Sequence, residues 1–101
     1  MYYVYILYSP SSDKYYVGSS EAPLERCYYH NTQEKATYTS KHRPWVLKAV
    51  FEAGATRSEA FRLEQLIKKQ KSRTLIERLL QHDYVPSGAL AQLVRVPHVR
   101  D

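Results

Sequence analysis

A chain of 101 residues makes one domain with room for a single modest core. Its content, 44% apolar and 25% charged, is that of a folded globular protein and excludes a disordered segment. Lys and Arg outnumber Asp and Glu by 15 to 10, a net charge of +5 that suits a polyanionic partner such as nucleic acid.

Residues 2–9 (YYVYILYS) are β-branched and aromatic on both alternating faces, which predicts a strand covered on both sides. The run is short, lacks a basic start and is interrupted by Tyr, so neither a signal peptide nor a membrane span is expected. A reducing cytoplasmic location is the default. Turn formers at Pro10-Ser11-Ser12-Asp13 lead into Tyr15-Tyr16-Val17-Gly18, completing a predicted β-hairpin.

Ser19 and Ser20 offer N-cap hydroxyls and Pro23 suits a first helical turn. The helix they predict runs to about Asn31 and carries Leu24, Cys27 and Tyr28 inward. Cys27 is the only cysteine, which excludes an intrachain disulfide and a thiolate zinc cluster; inside a helix it reads as a packed thiol. Residues 32–43 (TQEKATYTSKHR) are polar and aperiodic and are expected to form a long basic loop, a kind of segment that is often functional. A third strand follows at about 45–52, with Trp45 as a core anchor.

Thr56 and Glu59 form the capping-box pattern that starts a second helix, with Ala60, Leu63 and Ile67 as its apolar stripe. Lys68, Lys69 and Lys71 load its C-terminal end, where the helix dipole favours cations. A short third helix, about Arg73 to Gln81, packs Leu75, Ile76, Leu79 and Leu80. The order ββαβαα predicts an α+β fold, a small three-stranded sheet flanked by helices.

The domain is therefore placed at 1–82, and 83–101 is set apart as a C-terminal tail. Leu90-Ala91-Gln92-Leu93-Val94-Arg95 is encodable by codons that resemble the 5′ end and D-arm of many transfer RNAs, so one hypothesis is non-native read-through into an adjacent gene. The alternative is an amphipathic tail strand packed on the domain. Sequencing the coding DNA decides the first; codons that cannot form a cloverleaf remove it.

The chain holds 10 Tyr against 2 Phe, although a buried phenol needs a hydrogen-bond partner and Phe does not. Two Tyr-rich strands (Tyr3-Val4-Tyr5 and Tyr16-Val17-Gly18), then Arg26 and His30 at helical spacing, then Glu64 inside a later helix, occur in one order over roughly residues 1–80. That order resembles the GIY-YIG nuclease family. Tyr16-Val17-Gly18 keeps the second motif with Val for Ile, while Tyr3-Val4-Tyr5 keeps only the last letter of the first.

The resemblance implies metal-dependent hydrolysis of nucleic-acid phosphodiesters, with DNA ahead of RNA as substrate. It makes Tyr5, Tyr16, Arg26 and His30 the catalytic set and Glu64 the single acidic ligand of Mg²⁺ or Mn²⁺. Chemically the set is coherent. A metal ion activates water, an Arg fork holds phosphate charge, and one carboxylate with water and phosphate oxygens is a common way to hold Mg²⁺. Lys35, Lys41, His42 and Arg43 of the basic loop would steer the phosphate backbone. A homodimer is one route by which so small a chain could gain target specificity.

Each residue also has a plainer reading. The tyrosines could simply pack, Arg26 could be solvated, and His30 could cap the last carbonyls of its helix. Glu64 could pair with Lys68 at i,i+4. At the level of the whole chain, the rival reading is a nucleic-acid-binding module that uses the fold without cleaving; it should tolerate chelation, whereas a nuclease should lose turnover.

Overall fold

The computed structural model describes residues 1–97; the tail residues 98–101 lie outside the described residues. Strand β1 (Tyr2–Ser9) pairs antiparallel with β2 (Lys14–Ser20) on one side and with β3 (Val46–Gly54) on the other. The hairpin closes through Asp13 at φ 52, a left-handed position that Asp tolerates better than most side chains. A fourth, two-residue strand, β4 (Val94–Arg95), joins the outer side of β3, so the sheet order is β2-β1-β3-β4. This makes β1 central, in line with its two apolar faces, and leaves β2 as a free edge.

Helices α1 (Pro23–Thr32) and α2 (Tyr38–Lys41) cover one face. Helices α3 (Arg57–Gln70) and α4 (Arg73–Leu79) cover the other. The centre of the α3 side is apolar, formed by Val4, Ile6, Val17, Phe51, Ala60, Leu63, Ile67 and Leu79. The capping box of α3 is present, with Thr56 Oγ1 accepting from the Glu59 N–H and the Glu59 carboxylate accepting from the Thr56 N–H. Across the sheet, Tyr5, Leu7, Trp45, Leu47 and Val50 pack with Tyr16 and Cys27, confirming Trp45 as an anchor. No described helix is long and apolar enough to cross a membrane.

Four expectations need correcting. Ser19 and Ser20 are not N-caps: they belong to β2, paired with Val4 and Tyr3, and the cap position is Ala22, with no side-chain bond. Pro23 does start the helix. Leu24 and Tyr28 point outward, 74% and 71% exposed, and the inward side of α1 is Cys27, His30 and Asn31. The reason lies in what the helix covers. The sheet face beneath presents the Tyr5 hydroxyl and the Trp45 backbone, so the helix meets it with polar side chains: His30 reaches Tyr5, and Asn31 bonds both the N–H and C=O of Trp45 at 2.7 and 2.9 Å.

The stretch 32–43 is not one loop. Thr37 and Ser40 form a second capping box that nucleates α2. The sheet also has four strands in place of three, because the tail packs. After a 3₁₀ turn at Gly88–Leu90, Leu90 and Leu93 enter the α3-side core, and Arg95 donates to the carbonyls of Leu79 and Gln81 at 2.7 and 2.6 Å. The described part of the tail thus packs on the domain, whatever the origin of its codons.

Candidate active site

The free edge of β2 is where the two helical layers meet, and it gathers the chemistry. Successive residues of a strand point to opposite faces. Tyr16 and Gly18 therefore look toward α1, while Val17 and Ser19 look toward α3.

Tyr5 sits on β1 directly opposite Gly18. A Cβ at Gly18 would lie 2.4 Å from the Tyr5 hydroxyl oxygen, so only glycine lets the phenol lie across β2. The ring crosses that gap and brings its hydroxyl 3.0 Å from His30 Nε2, with both residues buried. Burial, then the neighbouring Tyr16, pushes the Tyr5 phenol up to about 12, with Arg26 and its positive charge pulling the other way. Burial first, and then Arg26, pushes His30 down to about 4. The pair is therefore neutral at pH 7. His30 Nδ1 is buried and has no hydrogen-bond partner among the described residues.

Tyr16 packs edge-on to His30, 4.8 Å between ring centroids, and tilted to Tyr5 at 6.4 Å. Its other neighbour is Lys68 of α3, whose ammonium stands 5.3 Å from the ring centre. Arg26, one helical turn before His30, is half-buried, and its guanidinium lies over the Tyr29 ring at 4.7 Å. Thus α1 and the two Tyr strands deliver Tyr5, Tyr16, Arg26 and His30 to one place.

Glu64 completes the cluster from α3. It is buried at 7% exposure, and its charge acts on Tyr5. The Ser19 hydroxyl donates to Oε1 at 2.6 Å, and the Lys68 ammonium donates to Oε2 at 2.7 Å. The i,i+4 pair with Lys68 is therefore real. It does not by itself explain the residue: a surface pair of this kind is worth a few tenths of a kcal/mol, whereas a buried carboxylate is costly.

Ser19 is the site residue that the sequence does not announce, because its place before Pro23 makes it look like a helix cap. Continuing the alternation of β2 beyond Gly18 is the signal that would aim it at α3.

The loop cations divide. Lys35 and Lys41 are exposed. His42 bonds Ser12 of the hairpin loop through Nδ1 at 2.9 Å, and its ring lies 4.7 Å from Tyr38. Arg43 directs its guanidinium onto the carbonyls of His30 and Gln33, tying the end of α1 to the segment after α2.

Two open clefts flank the cluster along β2. One, of about 690 Å³, lies by the C-terminal end of the strand and is lined by Ser19, Arg26, Tyr29 and Arg57 with Glu21 and Glu25. The other, of about 520 Å³, lies by its N-terminal end and includes Tyr16 and Lys68.

A metal would meet hard oxygen donors here, which fits Mg²⁺ or Mn²⁺. Among the described residues no group of three or more His, Cys, Asp or Glu side chains could enclose an ion. Glu64 would then be the protein's ligand, with water and substrate oxygens supplying the rest, and Lys68 would have to share or release Oε2.

No curated protein matches this chain. The family model described as the GIY-YIG catalytic domain matches residues 1–81, a span that contains every residue of the cluster. The chain belongs to the GIY-YIG catalytic-domain family.

Proposed function

We propose that this protein is a metal-dependent nuclease that hydrolyses phosphodiester bonds, with DNA as its main substrate. Family membership carries the coarser statement, a nuclease-type catalytic domain acting on nucleic acid. The observation that supports cleavage over binding alone is the buried Tyr5–His30 pair beside Arg26. A core built only for stability would use Phe there in place of a phenol that needs a buried imidazole as its partner.

The chemistry follows from that pair. A phenol held near 12 is protonated at neutral pH, so it serves as a base only by relay. The attacking water gives a proton to the Tyr5 oxygen as the Tyr5 proton passes to His30 Nε2. That direction requires the Nδ1–H tautomer, which places the ring proton on the atom without a partner. Burial first, and Arg26 second, hold His30 neutral in the free protein; a bound phosphate would offset the Arg26 contribution and raise the proton affinity of His30 when it is needed.

Arg26 itself stabilises the extra negative charge of the transition state. Tyr16 shapes the pocket wall against His30 and Lys68. Glu64 would hold the divalent ion, with Ser19 fixing the carboxylate's orientation. The ion, when bound, would polarise the phosphate and assist the leaving oxygen. Lys35 and Lys41 are proposed to steer the backbone, while His42 and Arg43 shape the segment that presents them.

The test is single-turnover cleavage of labelled DNA and RNA, as single strands, duplexes and branched forms, with Mg²⁺, with Mn²⁺ and with chelator. Cleavage of DNA that stops on chelation and resumes when metal is restored is expected. Tight binding without any cleavage, insensitive to chelation, would establish the non-catalytic reading.

A further inference from the structure

The cleft at the N-terminal end of β2 is not accounted for by the catalytic cluster. We propose that it is a subsite for the single-stranded flank of the substrate, with Lys14 and Lys71 on consecutive phosphates and Tyr38 stacking on a base. The inference deepens the nuclease reading for what the strand is, but does not depend on its being cut there.

The charges are sorted in a way that points to a polyanion. Four cations line this cleft, Lys14, Lys68, Lys71 and Arg73, against the single acid Asp13. Two of the four are already paired: Lys68 with Glu64 at 2.7 Å, and Arg73 with Asp13 at 2.6 Å and Glu77 at 3.2 Å. Asp13 is thereby engaged as well. Lys14 and Lys71 are exposed and form no ion pair among the described residues. With Glu64, Asp13 and Glu77 set against the four cations, the cleft keeps a net positive charge of one, and Lys14 and Lys71 are the cations held outside the ion pairs.

The position of Lys71 supports this. It caps the C-terminus of α3 at φ 48, a left-handed site where glycine is the usual and least strained residue. A lysine there holds its ammonium at the lip of the cleft in place of the more favourable glycine. Across from it, Tyr38 on α2 is 50% exposed, with its ring held against His42 at 4.7 Å. A half-exposed aromatic beside free cations is the combination by which proteins hold single strands.

Size and continuity select a single strand over a duplex. About 520 Å³ is room for a nucleotide or two, and the half-exposed Tyr38 ring can stack only on a base that is not already paired within a duplex. Tyr16 lines the cleft and also packs on His30, so a strand lying here runs directly to the catalytic cluster. The cleft at the other end of β2 differs, since Glu21 and Glu25 balance Arg26 and Arg57 there. The grip is thus on one side of the scissile phosphate.

The test is fluorescence anisotropy in chelator, so that cleavage cannot interfere, with a short mixed-sequence single strand, a blunt duplex and a duplex carrying a single-stranded tail. The full chain is compared with Lys14→Ala/Lys71→Ala, Tyr38→Ala and Tyr38→Phe, all checked for fold by circular dichroism. The double lysine variant should bind the single strand and the tailed duplex about ten-fold more weakly. Its salt slope should fall by about 1.4, or roughly 0.7 for each phosphate no longer neutralised. Tyr38→Ala should bind about ten-fold more weakly with the slope unchanged, and Tyr38→Phe should retain most of the affinity. The blunt duplex should respond to none of them.

Unchanged single-strand affinity in the double lysine variant overturns the subsite, as does an equal weakening on the blunt duplex. The two readings fail separately. A wild-type protein that cleaves while its variants bind normally removes the subsite and leaves the nuclease. One that never cleaves, but whose variants bind the tailed duplex weakly, removes the nuclease and leaves the subsite.

Discussion

The two faces of this sheet are packed on different principles. Toward α3, the buried set is aliphatic and Phe, joined from the tail by Leu90 and Leu93. Toward α1, the buried set includes Tyr5 and Trp45, with His30 and Thr39 alongside them and Asn31 bonded to the Trp45 backbone. The first face stabilises by removing apolar area from water. The second must satisfy the polar atoms it covers, as His30 does for the Tyr5 hydroxyl and Asn31 for the Trp45 backbone. The proposed catalytic groups come from the polar face, while the metal-ligand candidate Glu64 reaches round the β2 edge from the apolar one. The domain thus confines the cost of its chemistry to one layer and its edge, and uses the other layer to offset it.

That contrast can be broken most severely at the edge. Glu64→Gln and Arg26→Ala should each lower single-turnover cleavage by about 10²–10³, or about 3–4 kcal/mol of transition-state stabilisation, while circular dichroism stays that of the wild type. Glu64→Gln should bind nucleic acid at least as well, because a negative charge near the phosphate is removed. A folded Glu64→Gln protein cutting at the wild-type rate would sink the metal-ligand role.

On the apolar face the reverse is expected. Leu63 is fully buried, and Leu63→Ala should cost about 3 kcal/mol in denaturant unfolding. Below its lowered melting temperature the variant should cleave at close to the normal rate. A large drop in rate in the folded variant would show that the two faces are not separable.

Acid should act on the polar face. Because His30 is held near 4 when folded, against about 6.5 when free, the unfolded chain binds the proton first as pH falls. The stability is complete above pH 6.5 and is lost progressively toward pH 4. Between pH 7 and 5 this one group accounts for a decline of about 2 kcal/mol. Unfolding curves across that range should show the decline, and His30→Gln should flatten it; an equally steep fall in the variant would assign the effect to other groups.

The smallest change tests the register between the faces. Gly18→Ala places a methyl 2.4 Å from the Tyr5 hydroxyl oxygen, and overpacking of this kind costs about 1–3 kcal/mol. Cleavage should suffer more than stability, because the phenol is displaced from His30. Equal activity in Gly18→Ala would mean that the position of Tyr5 is not what the rate depends on.

Much of the fold is legible in the chain because it rests on local rules. Alternation along residues 2–9, turn residues at 10–13, and the T-x-x-E box at Thr56 each act within a few residues, and the elements they predict are present. Motif order singles out Tyr5, Tyr16, Arg26, His30 and Glu64, and the fold brings all five to the β2 edge. Orientation is harder to read. Leu24 and Tyr28 look like an inward stripe, yet helix α1 turns its polar side to the sheet.

What the sequence determined by itself was therefore the order and identity of the elements and the inventory of reactive groups, since caps, periodicity and turns are short-range. Only the tertiary structure decided which side of α1 is buried, that Ser19 orients Glu64, that Arg43 serves backbone carbonyls, and that the tail closes the sheet as β4. Those outcomes turn on which polar atoms lie opposite one another after the layers pack. A buried hydroxyl or carbonyl must find a partner, and that partner can lie 25 residues away, as His30 does from Tyr5.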